Sequence, residues 1–201
     1  IKELIEGESE YWNNENSNKN SQVVTTQRDY MAGILSTDIT RRLLLPKDIV
    51  DAHDAGIIHF HDADYFGQNA IHNCELINLN DMLESGSVIN GVMIEKPHRF
   101  LTACTIATQI ILGVTSSSYG GATISLTHLA PFVRDSYNRY VEKYLKVGNL
   151  GNENESTEEI AHRLAKIDTK KEIEAGVQTF NYQVNSMTNT NGQSPFLSVC
   201  M

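Results

Sequence analysis

The chain has 201 residues, enough for one large domain or two small ones with a sizeable core. Its hydrophobic content of 40% and charged content of 20% are typical of an ordinary globular protein and exclude general disorder. The formal net charge of -9 argues against a general nucleic-acid-binding protein, because no stripe of lysine and arginine can neutralise phosphates. An anionic substrate would need local help from helix N-termini, backbone amides or single lysines.

Cysteine usage and apolar run lengths indicate the compartment. Three widely spaced cysteines do not form a disulfide framework and favour a reducing environment. No stretch reaches the roughly 18 consecutive apolar residues of a membrane span, and the N-terminus has no secretory signal pattern. These features predict a cytoplasmic protein. The chain lacks a starting Met and stops inside a predicted strand, so we expect it to be part of a longer polypeptide.

The first sixty residues are predicted to be mainly helical. The Asn-rich stretch 13–21 is predicted to be a polar loop. A helical pattern follows over 25–45, and Pro46 and Gly56 can open and close the next short helix. Residues 57–60 then have the composition of a buried strand. The predicted apolar face of the first helix consists of Tyr30, Ile34, Ile39 and Leu43.

Two further helices are predicted in the middle of the chain. The first starts near Pro97 and ends at Gly113, and small residues over 116–121 interrupt the pattern. The second covers 129–145 and ends at Gly148. Its tyrosine stripe indicates core or a helix–helix interface and consists of Tyr137, Tyr140 and Tyr144.

The last part of the chain begins with a helix-start signal. Ser156 and Glu159 fit a capping box, and the helix that they open runs towards Val177. A turn at 189–192 and a strand within 195–201 follow. Long helices alternating with short buried strands predict a helix-rich α/β architecture.

The densest group of reactive side chains lies within residues 59–74, which include three histidines, two aspartates and a cysteine. On a strand, His59 and His61 would share one face with their Cα atoms roughly 6.5 Å apart, a spacing that lets two imidazoles bind one metal. His72 and Cys74 repeat this alternation. One interpretation is a mononuclear zinc or iron site. The other is a polar core layer in which these histidines bond aspartates and backbone.

Cys74 is the best candidate for thiol chemistry. An unperturbed cysteine thiol has a pKa of about 8.5, so at neutral pH it is mostly protonated and can donate a proton or a hydrogen atom. Neighbouring Asn73 could orient a hydroxyl group, and Glu75 would point to the opposite face of a strand. The alternative, a small buried hydrophobic residue, fits Cys104 better because that residue lies on an apolar helix face.

Four segments of the chain resemble one known family in both sequence and order. They read GIIHFHDAD at 56–64, HNCELINL at 72–79, SSSYGGATIS at 116–125 and NGQSPF at 191–196. Together they resemble the large catalytic subunit of anaerobic, class III ribonucleoside-triphosphate reductases, the glycyl-radical enzymes that make deoxynucleotides without oxygen. The resemblance runs from about Gln27 to the end, and four ordered motifs are far more specific than any one of them.

The resemblance implies a fold and a reaction. The family fold is a ten-stranded α/β barrel, of which 25–201 would be an incomplete N-terminal portion continuing beyond residue 201. Residues 1–24 would be a linker or a remnant of an upstream regulatory domain. In the family, a cysteine thiyl takes the 3'-hydrogen of the ribonucleotide, the 2'-hydroxyl leaves as water, and formate is the reductant. The radical cysteine and the glycyl radical lie outside this chain, so we expect no turnover from these residues alone.

The resemblance also implies site residues. Cys74 matches the cysteine that protonates the leaving hydroxyl and returns hydrogen to C2', whereas Asn73 and His59 match residues beside the substrate and formate. The family's zinc is held by four cysteines near the C-terminus, so no metal is expected in this chain. The remaining candidates become structural or unassigned: His61, Asp62, Asp64 and Cys200.

Partners and effectors follow from the same resemblance. A deoxynucleoside triphosphate or ATP effector would bind at a homodimer interface formed by the helices that start near His98 and Ala130. Lys96 and Gln109 are the candidate effector-binding residues. A radical-SAM enzyme would activate the protein. Two rival functions remain open: a metal-dependent hydrolase or oxygenase using the histidine cluster, and a non-catalytic nucleotide-binding dimerisation module.

Overall fold

The computed structural model describes residues 2, 6, 23–68, 74–117, 121–151, 154–189 and 194–201. The predicted loop at 13–21, His72, Asn73 and the centre of the turn at 189–192 lie outside the described residues. Within those ranges, no helix is both long enough and apolar enough to cross a membrane.

The chain divides into two compact units, and each is discontinuous in sequence. The first unit comprises Ile1–Glu75, Thr115–Ala122 and Thr188–Phe196. The second comprises Leu76–Val114, Thr123–Met187 and Leu197–Met201.

The long helix of the first unit confirms the helical pattern but not the predicted buried face. Helix α1 covers Val24–Ile39 and continues as a π-helix over Thr40–Leu44. Leu43 is 76% exposed, whereas the buried positions are small and polar. The face that packs is the one towards residues 62–68, where Gln68 Nε2 donates to Ser36 Oγ at 2.9 Å. Small side chains allow this close polar contact, so they are buried in place of the predicted apolar residues. The buried residues of the two helical segments are Thr26, Ser36 and Thr40.

The strand predicted at 57–60 is wrong. Helix α2 covers Lys47–Asp54, and Gly56 follows it with φ of +69°, as the helix-stop signal predicted. The amides of Ile57 and Ile58 both donate to the carbonyl of Ala52, at 2.9 and 3.4 Å. They therefore extend the end of the helix and are not available for strand pairing. Ile57 is 76% exposed, so this apolar pair is not buried either.

The second unit begins with a short helix and a hairpin. Helix α3 covers Leu79–Glu84, and strands β2 (Ser87–Ile89) and β3 (Val92–Ile94) pair antiparallel. The two residues between them, Asn90 and Gly91, have φ of +52° and +79°, as a type I' turn requires. Neither element was predicted from the sequence, although Asn-Gly between two apolar runs is a strong hairpin signal.

Three long helices form most of the second unit. Helix α4 covers Phe100–Thr115, two residues past the predicted end, and α5 covers Ala130–Val147 after a 3-10 turn at Leu126–Leu129. Helix α6 covers Thr157–Ser186, opens at the predicted capping box and packs along α5. Gly148 ends α5 with φ of +64°, as predicted. The largest fully buried side chains of this unit include Phe132, Leu79, Leu83, Ile111 and Ile124.

A three-stranded sheet completes the described elements. Strand β1 covers Glu75–Leu76, β4 covers Gly121–Ser125 and β5 covers Phe196–Cys200, in the order β1-β4-β5. Three of the five chain boundaries between the two units fall within these strands. Strand β5 confirms the strand predicted near the end of the chain. The architecture is helix-rich α/β, as predicted.

Candidate functional site

The histidines of the dense cluster are held together by a loop, not by a strand. His59 Nε2 and His61 Nδ1 lie 3.2 Å apart, within hydrogen-bond distance. The ring of His59 also lies against that of His53, with centroids 5.5 Å apart. His53 Nδ1 accepts a hydrogen bond from the Phe60 amide at 3.1 Å, which ties the end of α2 to the loop. The predicted proximity of His59 and His61 is therefore correct, but its predicted cause was wrong.

Asp62 extends the cluster at the far side of His61. Its Oδ1 lies 3.3 Å from His61 Nε2. Partial burial raises the pKa of Asp62, against the opposing effect of positive charge on His61 and His59. Asp62 adopts a φ of +56°, and the turn that follows it bonds the Tyr65 and Phe66 amides to its carbonyl. The result is a row of polar side chains, His59–His61–Asp62, with the His53 ring packed against His59.

A metal centre in this cluster was one interpretation of the sequence. Among the described residues, no group of three or more His, Cys, Asp or Glu side chains is arranged to hold a metal ion. His72, the third predicted ligand, lies outside the described residues.

The cysteines differ in their surroundings. Cys74 is exposed and directly precedes β1, so the alternative of a buried hydrophobic residue is wrong for it. That description fits Cys104, which is buried on α4 as predicted. Burial, with a smaller effect from the charge of Glu172, raises the pKa of the Cys104 thiol to about 12. Cys200 is exposed on β5. Of the three thiols, Cys74 lies in the same unit as His59.

The two candidate effector-binding residues are engaged in separate contacts of the second unit. Lys96 forms an ion pair with Glu84, and that hydrogen bond is the main cause of a raised pKa for Lys96. Its Nζ also lies 5.9 Å from the centre of the Phe132 ring. Gln109 Nε2 donates to the Met187 sulfur at 3.7 Å. Gln109 lies about 14 Å along α4 from the start of the helix, given a rise of about 1.5 Å per residue.

A polar network in the second unit was not predicted. Glu172 on α6 is only 5% exposed. Its Oε1 accepts from the Leu101 amide at 3.2 Å and from Ser136 Oγ at 3.0 Å, and its Oε2 accepts from Arg99 at 2.8 Å. Ser136 Oγ in turn accepts from the Phe100 amide at 2.8 Å. Side chains of α5 and α6 thus satisfy the first amides of α4, which have no partner within their own helix.

The charge of Glu172 is stabilised in place. Burial acts to raise its pKa, but the Arg99 guanidinium, the Leu101 amide and the hydroxyls of Tyr140 and Ser136 outweigh burial, and the pKa of Glu172 is lowered. In the sequence, the sign of this network was a carboxylate on the same helix face as the small residues Thr169 and Gly176. The structure shows that both small residues are buried.

Comparison with known proteins identifies the family. The family model described as anaerobic ribonucleoside-triphosphate reductase matches residues 15–201. The chain belongs to the anaerobic ribonucleoside-triphosphate reductase family. Relatives named anaerobic ribonucleoside-triphosphate reductase are 40% identical in Escherichia coli and 39% in Salmonella typhimurium, each over 98% of this chain. The relative in Enterobacteria phage T4 is 37% identical over 92% of this chain. The chain spans 27% of the length of the two bacterial relatives and 29% of the phage relative.

One solved structure has a fold similar to that of this reductase-family chain. It is the crystal structure of the anaerobic ribonucleotide reductase from Thermotoga maritima in complex with dATP and CTP, with a TM-score of 0.52 and 18% identity. The match covers 87% of this chain and 26% of the other. The family resemblance predicted from four motifs is therefore confirmed, and neither rival function is favoured.

Proposed function

We propose that the whole protein reduces ribonucleoside triphosphates to 2'-deoxyribonucleoside triphosphates by glycyl-radical chemistry with formate as reductant. The observation that carries this proposal is the family match over residues 15–201. The relatives' shared name supports the substrate class. A glycyl radical on a residue outside this chain would supply the one-electron chemistry that starts the reaction.

Cys74 is proposed as the proton and hydrogen donor of the site. Its exposure leaves the thiol accessible to a substrate. In the protonated form, Sγ would give its proton to the 2'-hydroxyl, which leaves as water. Formate, oxidised to carbon dioxide, would supply the two electrons and the hydrogen that Cys74 returns to C2', and a proton from solvent would restore the thiol. Asn73 is proposed to orient the substrate hydroxyls.

His59 is proposed to lie beside the substrate and formate. The contacts to His53 and His61 fix its ring, and Asp62 anchors the far side of His61. A His59→Gln variant of the full-length enzyme is expected to raise the KM for formate by about tenfold. His61→Gln, which only loosens the ring of His59, is expected to have a smaller effect. Equal formate KM values in wild type and His59→Gln would remove His59 from the site.

The wider assembly follows the same proposal. Residues 25–201 are proposed to be the N-terminal portion of a ten-stranded α/β barrel, and residues 1–24 a linker or remnant of a regulatory domain. A structural zinc would lie in the part that this chain does not span. The protein would be a homodimer activated by a radical-SAM enzyme, with nucleotide effectors bound near α4 and α5 and contacted by Lys96 and Gln109.

Turnover by the full-length protein tests the function. Anaerobically activated protein is expected to form deoxynucleotides from ribonucleoside triphosphates only when formate is present. Equal product formation with and without formate would contradict formate as the reductant. The 201 residues alone are expected to give no product under the same conditions, and product from them would contradict the view that they hold only part of the site.

A further inference from the structure

A cavity of about 430 Å³ lies between the first two turns of α5 and the middle of α6. Every charged side chain that lines it is cationic: Arg134, Lys166 and Lys170. The rest of the lining is Thr169, the Tyr137 ring and three aliphatic side chains. In a chain with 25 acidic and 16 basic residues, a cavity without a single carboxylate is a local reversal of charge.

These three cations differ from the other basic side chains nearby. Arg99, Arg163 and Lys171 each lie within 4.0 Å of a carboxylate. For the three lining cations, the described part of the chain provides no ion pair or side-chain hydrogen bond. Lys166 and Lys170 are also four residues apart on one helix, an arrangement that is unfavourable for like charges. An anion in the cavity would offset that repulsion.

Thr169 provides an independent indication of a ligand. It is 7% exposed, and its Oγ1 is buried without a hydrogen-bond partner among the described residues. A helical threonine commonly bonds the carbonyl four residues earlier, but Thr169 does not. An unsatisfied buried hydroxyl is unfavourable, and Thr169 lines the cavity, so a ligand bound there could provide the acceptor that this hydroxyl lacks. A phosphate oxygen has that chemistry.

The walls of the cavity suit an anionic ligand with an apolar part. The first turns of α5 form the positive end of its helix dipole. Tyr137 is held by His162, with its hydroxyl 2.7 Å from Nδ1 and the two rings stacked at a centroid distance of 6.0 Å. A fixed aromatic side chain beside aliphatic ones gives a surface for a base or a ribose. The volume lies within the usual range for small-molecule sites.

We propose that this cavity binds the phosphate groups of a nucleotide through Arg134, Lys166, Lys170 and the Thr169 hydroxyl. That the phosphate belongs to a nucleotide rests on the proposed reductase function, whereas the phosphate site itself does not. The cavity is distinct from the candidate effector residues Lys96 and Gln109, which do not line it.

Hydrogen exchange with inorganic tripolyphosphate tests the site in the full-length protein, without activation or turnover. Tripolyphosphate is expected to slow exchange in peptides covering 130–137 and 166–173. Lys170→Gln should raise the concentration for half-maximal protection about tenfold, as expected for a lost charge-assisted contact. Lys171→Gln, which removes one charge from the adjacent residue outside the cavity, should leave it unchanged. Lys170 is preferred to Lys166 because Lys166 also borders a neighbouring cavity that contains acidic residues.

Thr169→Val gives a second, shape-conserving variant. It should weaken protection severalfold without reducing stability, because it removes a hydroxyl that has no partner in the free protein. ATP should protect the same peptides at lower concentration than tripolyphosphate if the ligand is a nucleotide. Protection by tripolyphosphate but not by ATP would overturn the nucleotide assignment. No protection in wild type, or equal protection in Lys170→Gln, would overturn the phosphate site while leaving the reductase function untouched.

Discussion

The start of helix α4 depends on one carboxylate that comes from a distant part of the chain. We expect Glu172→Ala to open the first turn of α4 by removing the acceptor of three hydrogen bonds at once. Those bonds come from the Leu101 amide at 3.2 Å, Ser136 Oγ at 3.0 Å and Arg99 at 2.8 Å. Glu172 is 5% exposed, so water cannot easily replace it.

The size of the effect can be worked from these contacts. The Leu101 amide and the Ser136 hydroxyl each lose a partner while buried or half-buried, at about 1–3 kcal/mol apiece. The side chain of Arg99 is 46% exposed and regains water, so its loss adds little. The lost aliphatic part of Glu172 adds about 1 kcal/mol. The total is about 3–7 kcal/mol. A value of about 4 kcal/mol, towards the low end of that range, corresponds to roughly a 10³-fold change in an opening equilibrium.

Native-state hydrogen exchange of the full-length protein measures that opening directly. Amides over 101–105 should exchange about 10³-fold faster in Glu172→Ala than in wild type, where exchange is limited by the opening equilibrium. Glu174→Ala is the matched control, because it removes an exposed carboxylate two residues away on the same helix. Acceleration of less than tenfold in Glu172→Ala, or equal acceleration in both variants, would refute the role assigned to the network.

Three further predictions concern the same region. Gly176→Ala should destabilise the protein by about 1–3 kcal/mol in thermal or urea unfolding, because its Cβ would lie 2.6 Å from a ring carbon of Phe100. Gly113→Ala is the control and should stabilise the protein slightly, because a Cβ there would have no atom within 4 Å. Cys104, whose thiol pKa is raised to about 12, should resist iodoacetamide at pH 8 until denaturant is added, and rapid labelling of the native protein would contradict its burial. Because the pKa of Glu172 is lowered below 4.5, its stabilising effect is present above that pH and lost as the pH falls through the folded pKa. Wild type should therefore lose more thermal stability than Glu172→Gln between pH 6 and pH 3.5, and parallel losses would contradict the lowered pKa.

Local signals predicted the ends of the helices well. The capping box of Ser156 and Glu159 and the stop at Gly148 act within a few residues, so their outcome does not depend on the rest of the fold. The strand predicted at 57–60 does not form, because the amides of Ile57 and Ile58 donate to the carbonyl of Ala52. Residue composition does not reveal such hydrogen bonds. The hairpin around Asn90 was not predicted, although its Asn-Gly turn is a recognisable hairpin signal.

Contacts between distant residues lay beyond sequence reasoning. The bond from the Leu101 amide to Glu172 joins residues 71 apart, and no periodicity indicates such a pair. The proximity of His59 and His61 was expected for the wrong reason, since a loop and not a strand brings them together. The proposed role of Cys74 came from resemblance to a family, and the structure adds its exposure.

Cys74 is proposed to act on the substrate of a glycyl-radical reductase. The direct measurement compares wild type, Cys74→Ser and Cys200→Ser in the full-length protein after anaerobic activation. Glycyl-radical EPR intensity and formate-dependent deoxynucleotide formation are recorded for each. We expect Cys74→Ser to keep the radical signal and form no product, whereas Cys200→Ser keeps both. Normal product formation by Cys74→Ser would contradict the site assignment, and a wild type with neither radical nor product would contradict the function itself.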